Sequence, residues 1–135
     1  MSEVLEKYRK LVDSINVEYA TLCGLSNDEL RMELSQIVIA INNNENKNKA
    51  LDEYLVPVFS ILKETTRRFS EGNIEVAANS NDVWLADRYD FVEIVGNKAI
   101  YKNRWDVMGV PYAWKMVHYD EQLLGGILLH YGYAA

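Results

Sequence analysis

Apolar and polar positions along the first twenty-two residues alternate at helical spacing. Leu5, Tyr8, Leu11, Val12, Ile15, Tyr19 and Leu22 recur every three or four residues, with Glu3, Glu6, Lys7, Arg9 and Lys10 between them. The spacing predicts an amphipathic helix over 3–22, closed by Gly24 as its C-terminal cap. Ser26-Asn27-Asp28-Glu29 has the form of a capping box and predicts a second helix to about Ile41. The asparagine-rich stretch from Asn42 to Lys49 reads as a polar loop. A third helix is expected from Leu51 to Phe69, with Pro57 either opening the main helix or kinking it after one short turn.

The pattern changes period after Gly72. Ile74 to Ala78 alternates like a short strand. Asn79 to Arg88 has room for one or two helical turns, with Asp82 as the expected cap. Phe91–Val95 and Lys98–Lys102 flank Gly96-Asn97, a two-residue turn suited to a type II′ hairpin. Residues 73–104 therefore read as a small α/β lobe between helices, and Asn103 to Tyr112 as a connection. A last helix is expected from Tyr119 or Asp120 to His130, with Gly132 beyond it. The predicted fold is a single α+β domain over 1–135, mostly helical, with about four main helices and about three short strands. No internal repeat is present.

Composition narrows the classes. The chain has 135 residues, a net charge of −6 and 49% hydrophobic residues, an ordinary globular makeup. Its acidic balance argues against general affinity for nucleic acid or an anionic membrane surface. Arg67-Arg68 is read as a solvated basic pair. Cys23 has no partner for a disulfide and is read as a small buried hydrophobe. No leader peptide and no transmembrane segment is recognisable, and the expected location is cytoplasmic. The three tryptophans, Trp84, Trp105 and Trp114, are expected to form the core of the lobe and its seam against the helices.

Chemistry concentrates near the end of the chain. Gln122 offers an acceptor and two donors on one plane, a pattern that can match an adenine edge. Tyr119 and Met116 could pack against a purine ring. Gly125-Gly126 costs a helix about 1 kcal/mol per glycine and suggests close approach of a neighbour or a ligand. The plain reading is also open: an amphipathic helix with Gln122 in water and Tyr119 in the core. His118, Asp120 and Glu121 are too few for a metal site, since His130 lies three helical turns on.

Tyr119-Asp120-Glu121-Gln122-Leu123-Leu124-Gly125-Gly126, followed by His130-Tyr131-Gly132, resembles the start of the motor domain of the SecA preprotein translocase ATPases. Two further stretches resemble that family in the right order. They are Leu25-Ser26-Asn27-Asp28-Glu29-Leu30-Arg31 and the proline-containing helix from Leu55 to Arg68. The lobe at 73–104 resembles an insertion of the Bacteroidetes type. The resemblance implies a Q motif in a helicase-like nucleotide-binding domain. Gln122 would read adenine, and Met116 and Tyr119 would line the base pocket. Tyr119 stands where phenylalanine is usual and Glu121 where valine is usual. No Gly-x-x-x-x-Gly-Lys-[Ser/Thr] loop occurs in the 135 residues. The expectation is therefore a piece truncated before that loop, non-catalytic by itself, related to protein export, with residual ATP or ADP binding at most. Protein partners, among translocase components or a second copy, are expected. A homodimer would form through the C-terminal helix if that helix does not fold back on the N-terminal ones. A stand-alone interaction module using the lobe is the alternative.

Overall fold

The first helix, α1, spans Ser2–Leu22 in the computed structural model, which describes residues 2–115, 117 and 119–131. The helices that follow are α2 (Asn27–Asn43), α3 (Lys47–Glu53) and α4 (Leu55–Glu71). Strand β1 (Ile74–Ala77), helix α5 (Ser80–Arg88) and strands β2 (Val92–Val95), β3 (Lys98–Tyr101), β4 (Arg104–Val107) and β5 (Val110–Ala113) precede α6 (Asp120–His130). The α+β class holds, with six helices among the described residues in place of about four.

α1 lies along α4, and α6 folds back onto α1. Their shared core is Tyr8, Val12, Ile15, Leu55, Leu123 and Ile127. The apolar residues Leu123 and Ile127 of α6 are thus covered within the chain, and the large apolar side chain that this helix leaves exposed is Leu129. The end of α6 is pinned twice: Tyr131 stacks on Tyr8 at 5.0 Å between ring centres, and His130 Nε2 lies 2.7 Å from Asp52 Oδ1 on α3. A second core joins α1, α2 and α4 through Leu22, Leu30, Ile37 and Ile61.

Several local expectations change. α1 is not closed by Gly24 in a left-handed cap, because only Gly96 and Gly109 among the described glycines have positive φ. Arg68 instead donates to the carbonyls of Leu22 (3.0 Å) and Leu25 (2.7 Å). Arg67 and Arg68 are therefore not a solvated pair: both bind the buried Glu64 carboxylate, at 2.7 and 2.6 Å. Cys23 is exposed, not buried. The polar loop shrinks to Asn44–Asn46, since Asn46 caps α3 by accepting the Lys49 amide. Pro57 sits in the first turn of α4, so of the two expected roles it opens the main helix.

In the lobe, β3 lies between β1 and β2 and is antiparallel to both, with Ile74 opposite Tyr101 and Val92 opposite Tyr101 on the other side. The Gly96-Asn97 turn forms as expected, with Gly96 at φ 61°. α5 is capped by Asn79; Asp82 is the third residue of the helix, which completes that capping box, and not the cap. The lobe's core is Ile74, Val76, Val92 and Ala99, with Phe69 and Leu85 against it. Trp84 and Trp105 are exposed and take no part in it. The expected connection over 103–112 contains a second hairpin, β4–β5, with Val107 opposite Val110. Met108 (φ 52°) and Gly109 (φ 82°) supply the two left-handed residues of a type I′ turn.

Candidate functional site

The start of α6 sets the geometry of the candidate site. Helix N-termini leave amide groups without intrahelical partners. Here the Gln122 side chain turns back, and its Oε1 accepts the Tyr119 backbone N–H at 2.9 Å. This fixes the plane of the amide beside the helix mouth. The second lone pair of Oε1 and the two amide hydrogens remain to offer, and no other described residue uses them. Tyr119 is 71% exposed, so its ring presents a face to solvent and is not core. Met116 and His118 lie outside the described residues, as does Gly132.

α1 and α4 supply the rest. Asn16 Nδ2 donates to Asp120 Oδ1 at 2.9 Å, and Lys63 Nζ donates to Asn16 Oδ1 at 2.7 Å. The same ammonium lies 4.5 Å from the centre of the Tyr19 ring, a cation–π contact. Burial, then the nearby Glu64 carboxylate, push the Tyr19 phenol above its usual range. Tyr19, Lys63, Val117, Tyr119, Asp120 and Glu121 line an open cleft of about 450 Å³ at this corner. Within it Lys63 is the cation and Asp120 and Glu121 are the acids. The sequence pattern singled out Tyr119, Gln122 and the acidic pair but not Asn16, Tyr19 or Lys63. Those three lie on helices distant in sequence, and their spacing carries no sign of the meeting.

The two glycines of the α6 motif differ. A methyl group added at Gly126 would meet the Phe59 ring at 3.1 Å, whereas nothing lies within 4 Å of one added at Gly125. Close packing of α4 accounts for Gly126, and open space surrounds Gly125.

Elsewhere, an apolar hollow of about 220 Å³ lies between α2, α4 and the sheet, lined in part by Leu30, Leu34, Phe69 and Tyr101. It is smaller than most small-molecule sites. Among the described residues no group of three His, Cys, Asp or Glu side chains is placed to hold a metal ion.

A family model described as the SecA DEAD-like domain matches residues 1–135. The chain belongs to the SecA DEAD-like domain family. Curated relatives agree. The protein translocase subunit SecA of Parabacteroides distasonis is 34% identical over 167 residues, covering 95% of this chain and 15% of the relative. That of Azobacteroides pseudotrichonymphae is 39% identical over 127 residues, covering 93% and 10%. That of Bacteroides thetaiotaomicron is 50% identical over 84 residues, covering 62% and 8%. The chain thus spans less than a sixth of the length of each of these SecA proteins. No solved structure matches it. The resemblance carried by the α6 motif, the Leu25–Arg31 segment and the Leu55–Arg68 helix is therefore a family relationship across the whole chain.

Proposed function

We propose that this SecA-family chain contributes the base-recognising element of an adenine-nucleotide site in a protein-export ATPase. Gln122 reads the adenine edge, with Tyr119 and Met116 packing against the ring. The observation that carries this reading is the Gln122 amide, held against the Tyr119 N–H beside an exposed tyrosine ring. Such an anchor costs the amide one lone pair and leaves its bidentate pattern intact. Lys63, bridged to Asp120 by Asn16, adds positive charge at the edge of the cleft.

By itself the chain is non-catalytic. Phosphoryl transfer rests on positioning and charge stabilisation by a phosphate loop and a metal, and no such loop motif occurs in the 135 residues. The chain acts as one domain with 73–104 as an inserted lobe, on the cytoplasmic side, with protein partners in translocation. Among the described residues no helix is long and apolar enough to cross a membrane.

Titration calorimetry with ADP and ATP tests the reading. Binding in the millimolar range is expected, with loss of measurable heat in Gln122→Ala and Tyr119→Ala, and no phosphate release from ATP. An isotherm unchanged in both variants, or no heat from the unsubstituted chain at millimolar nucleotide, would sink it.

A further inference from the structure

The hollow between α2, α4 and the three-stranded sheet lies where two cores come close without closing on each other. Leu30 and Ile61 belong to the core of α1, α2 and α4, and Ile74 and Val76 to the core of the lobe. All four are buried, and all four line the hollow of about 220 Å³. Phe69 on α4 and Tyr101 on β3 complete its walls. Of the residues lining it only Leu34 is exposed, at 38%, so the mouth opens there. Protein interiors pack to the density of organic crystals. A gap bordered by four buried aliphatic side chains departs from that rule, because its lining forgoes contacts on one side.

Polar side chains also border the hollow, and each is already bonded within the protein. Asn27 donates from Nδ2 to the Glu75 carbonyl, and its Oδ1 accepts from Arg68. Arg31 places both Nη atoms on the Asp82 carboxylate, and the Tyr101 hydroxyl donates to the same group. The Thr65 hydroxyl donates to the Ile61 carbonyl at 2.8 Å. An enclosed water needs about two to four polar partners, and here those partners are engaged elsewhere. A carboxylate would fare worse. The Arg31 charge is matched by Asp82, so an entering anion would lose its water without gaining a counter-charge.

We infer that the hollow is a binding site for a small uncharged aromatic molecule, a single ring with a short alkyl substituent, that bridges lobe and bundle. Size sets the limit: a dry apolar cavity of about 150 Å³ holds benzene, and this one is roughly half as large again. Ring character follows from Phe69 and Tyr101, which offer edge and face contacts. The planar Arg31 guanidinium adds a group that stacks on aromatic faces. The occupant touches Leu30 and Ile61 on one side and Ile74 and Val76 on the other. It therefore adds apolar contact between the two cores and holds the lobe against local opening. None of its lining residues lines the cleft at the start of α6, so the site is independent of nucleotide.

Titration of the full chain, isotope-labelled at its Leu, Ile and Val methyl groups, with toluene tests this. Saturable shifts are expected at Leu30, Ile61, Ile74 and Val76, with a Kd at or below about 1 mM. Hydrogen exchange in β1 and β3 should slow, and the melting temperature should rise. Benzoate, of nearly the same shape, should bind at least about tenfold more weakly. Leu34→Asp sets a charge at the mouth and should weaken toluene binding by at least about tenfold. If that variant does not fold, Leu34→Trp, which fills the mouth with its own ring, should have the same effect. Leu62→Asp, half exposed on α4 outside the hollow, should bind toluene as the unsubstituted chain does. The assignment is overturned if the four methyl groups show no saturable shift up to the solubility of toluene. It is overturned equally if benzoate binds as well as toluene, or if the Leu34 variant that folds keeps full affinity.

Discussion

The helical bundle and the β lobe are held by opposite kinds of contact. In the bundle, α6 meets α1 and α4 through Leu123 and Ile127, both essentially inaccessible, against Val12, Ile15 and Leu55. In the lobe, β1 and α5 meet α2 through polar groups. Asn27 Nδ2 donates to the Glu75 carbonyl at 3.1 Å, the Ala77 N–H donates to Asp28 Oδ1 at 2.8 Å, and Arg31 binds Asp82 with two hydrogen bonds of 2.9 and 2.6 Å. Tyr101 also donates to the Asp82 carboxylate. Burial pushes that carboxyl up, but Arg31, Tyr101 and the Asn79 amide together hold it below the usual range. Apolar contact is non-directional and tolerates small shifts. A buried carboxylate does not, since removing its partner strands a charge. The bundle is therefore the tolerant half and the lobe seam the exacting one. Yet the seam's net contribution is small, because desolvation offsets much of its attraction.

The largest effect that tests this contrast is a pair of truncations. Ile127→Ala should destabilise the chain by about 3–4 kcal/mol and lower the melting temperature of the helical signal. Asp82→Ala should cost about 3 kcal/mol, with Arg31 left unpaired, and should raise hydrogen exchange in β1, α5 and β2 ahead of α1 and α4. If exchange in α1 rises as soon as exchange in β1, the two regions are one cooperative unit and the contrast fails.

Next in size is the response to pH. The folded-state pKa values of Asp82 and Glu64 lie below their unfolded values; for Glu64 burial is outweighed by Arg67 and Arg68. Their stabilisation is therefore full above the unfolded carboxylate range, near pH 4, and is lost as pH falls through the folded values. Tyr101 works at the other end. Burial, then the Asp82 carboxylate, push its phenol up to about 12. The unfolded phenol ionises first, near its ordinary value of 10.0, so stability is full below that and falls as pH rises from there toward about 12. Chemical denaturation across both ranges should show losses at each edge, and Tyr101→Phe should shrink the alkaline one, leaving the part that Tyr19 and Tyr131 contribute.

The smallest effect separates the glycines. Gly125→Ala should stabilise the chain by roughly 0.5–1 kcal/mol, because alanine favours helix and meets nothing. Gly126→Ala should gain less or lose, because the Phe59 ring must shift to admit the methyl group. Equal melting temperatures for the two variants would remove the packing explanation for Gly126.

Legibility in the sequence followed how local the signal was. The Ser26–Glu29 capping box, the Gly96-Asn97 turn and the apolar stripe of α1 rest on residues within a few positions of each other, and each formed as expected. The β4–β5 hairpin was missed because methionine seldom takes positive φ and Pro111 argues against a strand. Both strands of a free hairpin are edges, where proline is tolerated. The asparagine stretch misled in another way: Asn44 closes one helix and Asn46 caps the next.

The family and the α+β class were carried by sequence, and so was the choice of Gln122 and Tyr119 as the proposed site residues, because a motif on one helix turn is legible without its neighbours. Tertiary structure alone decided that Lys63 and Asn16 join Asp120, that Arg68 reaches the Leu22 and Leu25 carbonyls at the end of α1, and that Asp82 closes the lobe onto α2. Those groups lie 51, 104 or similar numbers of residues from partners they touch. Only folding creates such contacts, since the buried Asp82 carboxylate is held in the interior by the counter-charge that Arg31 brings from α2.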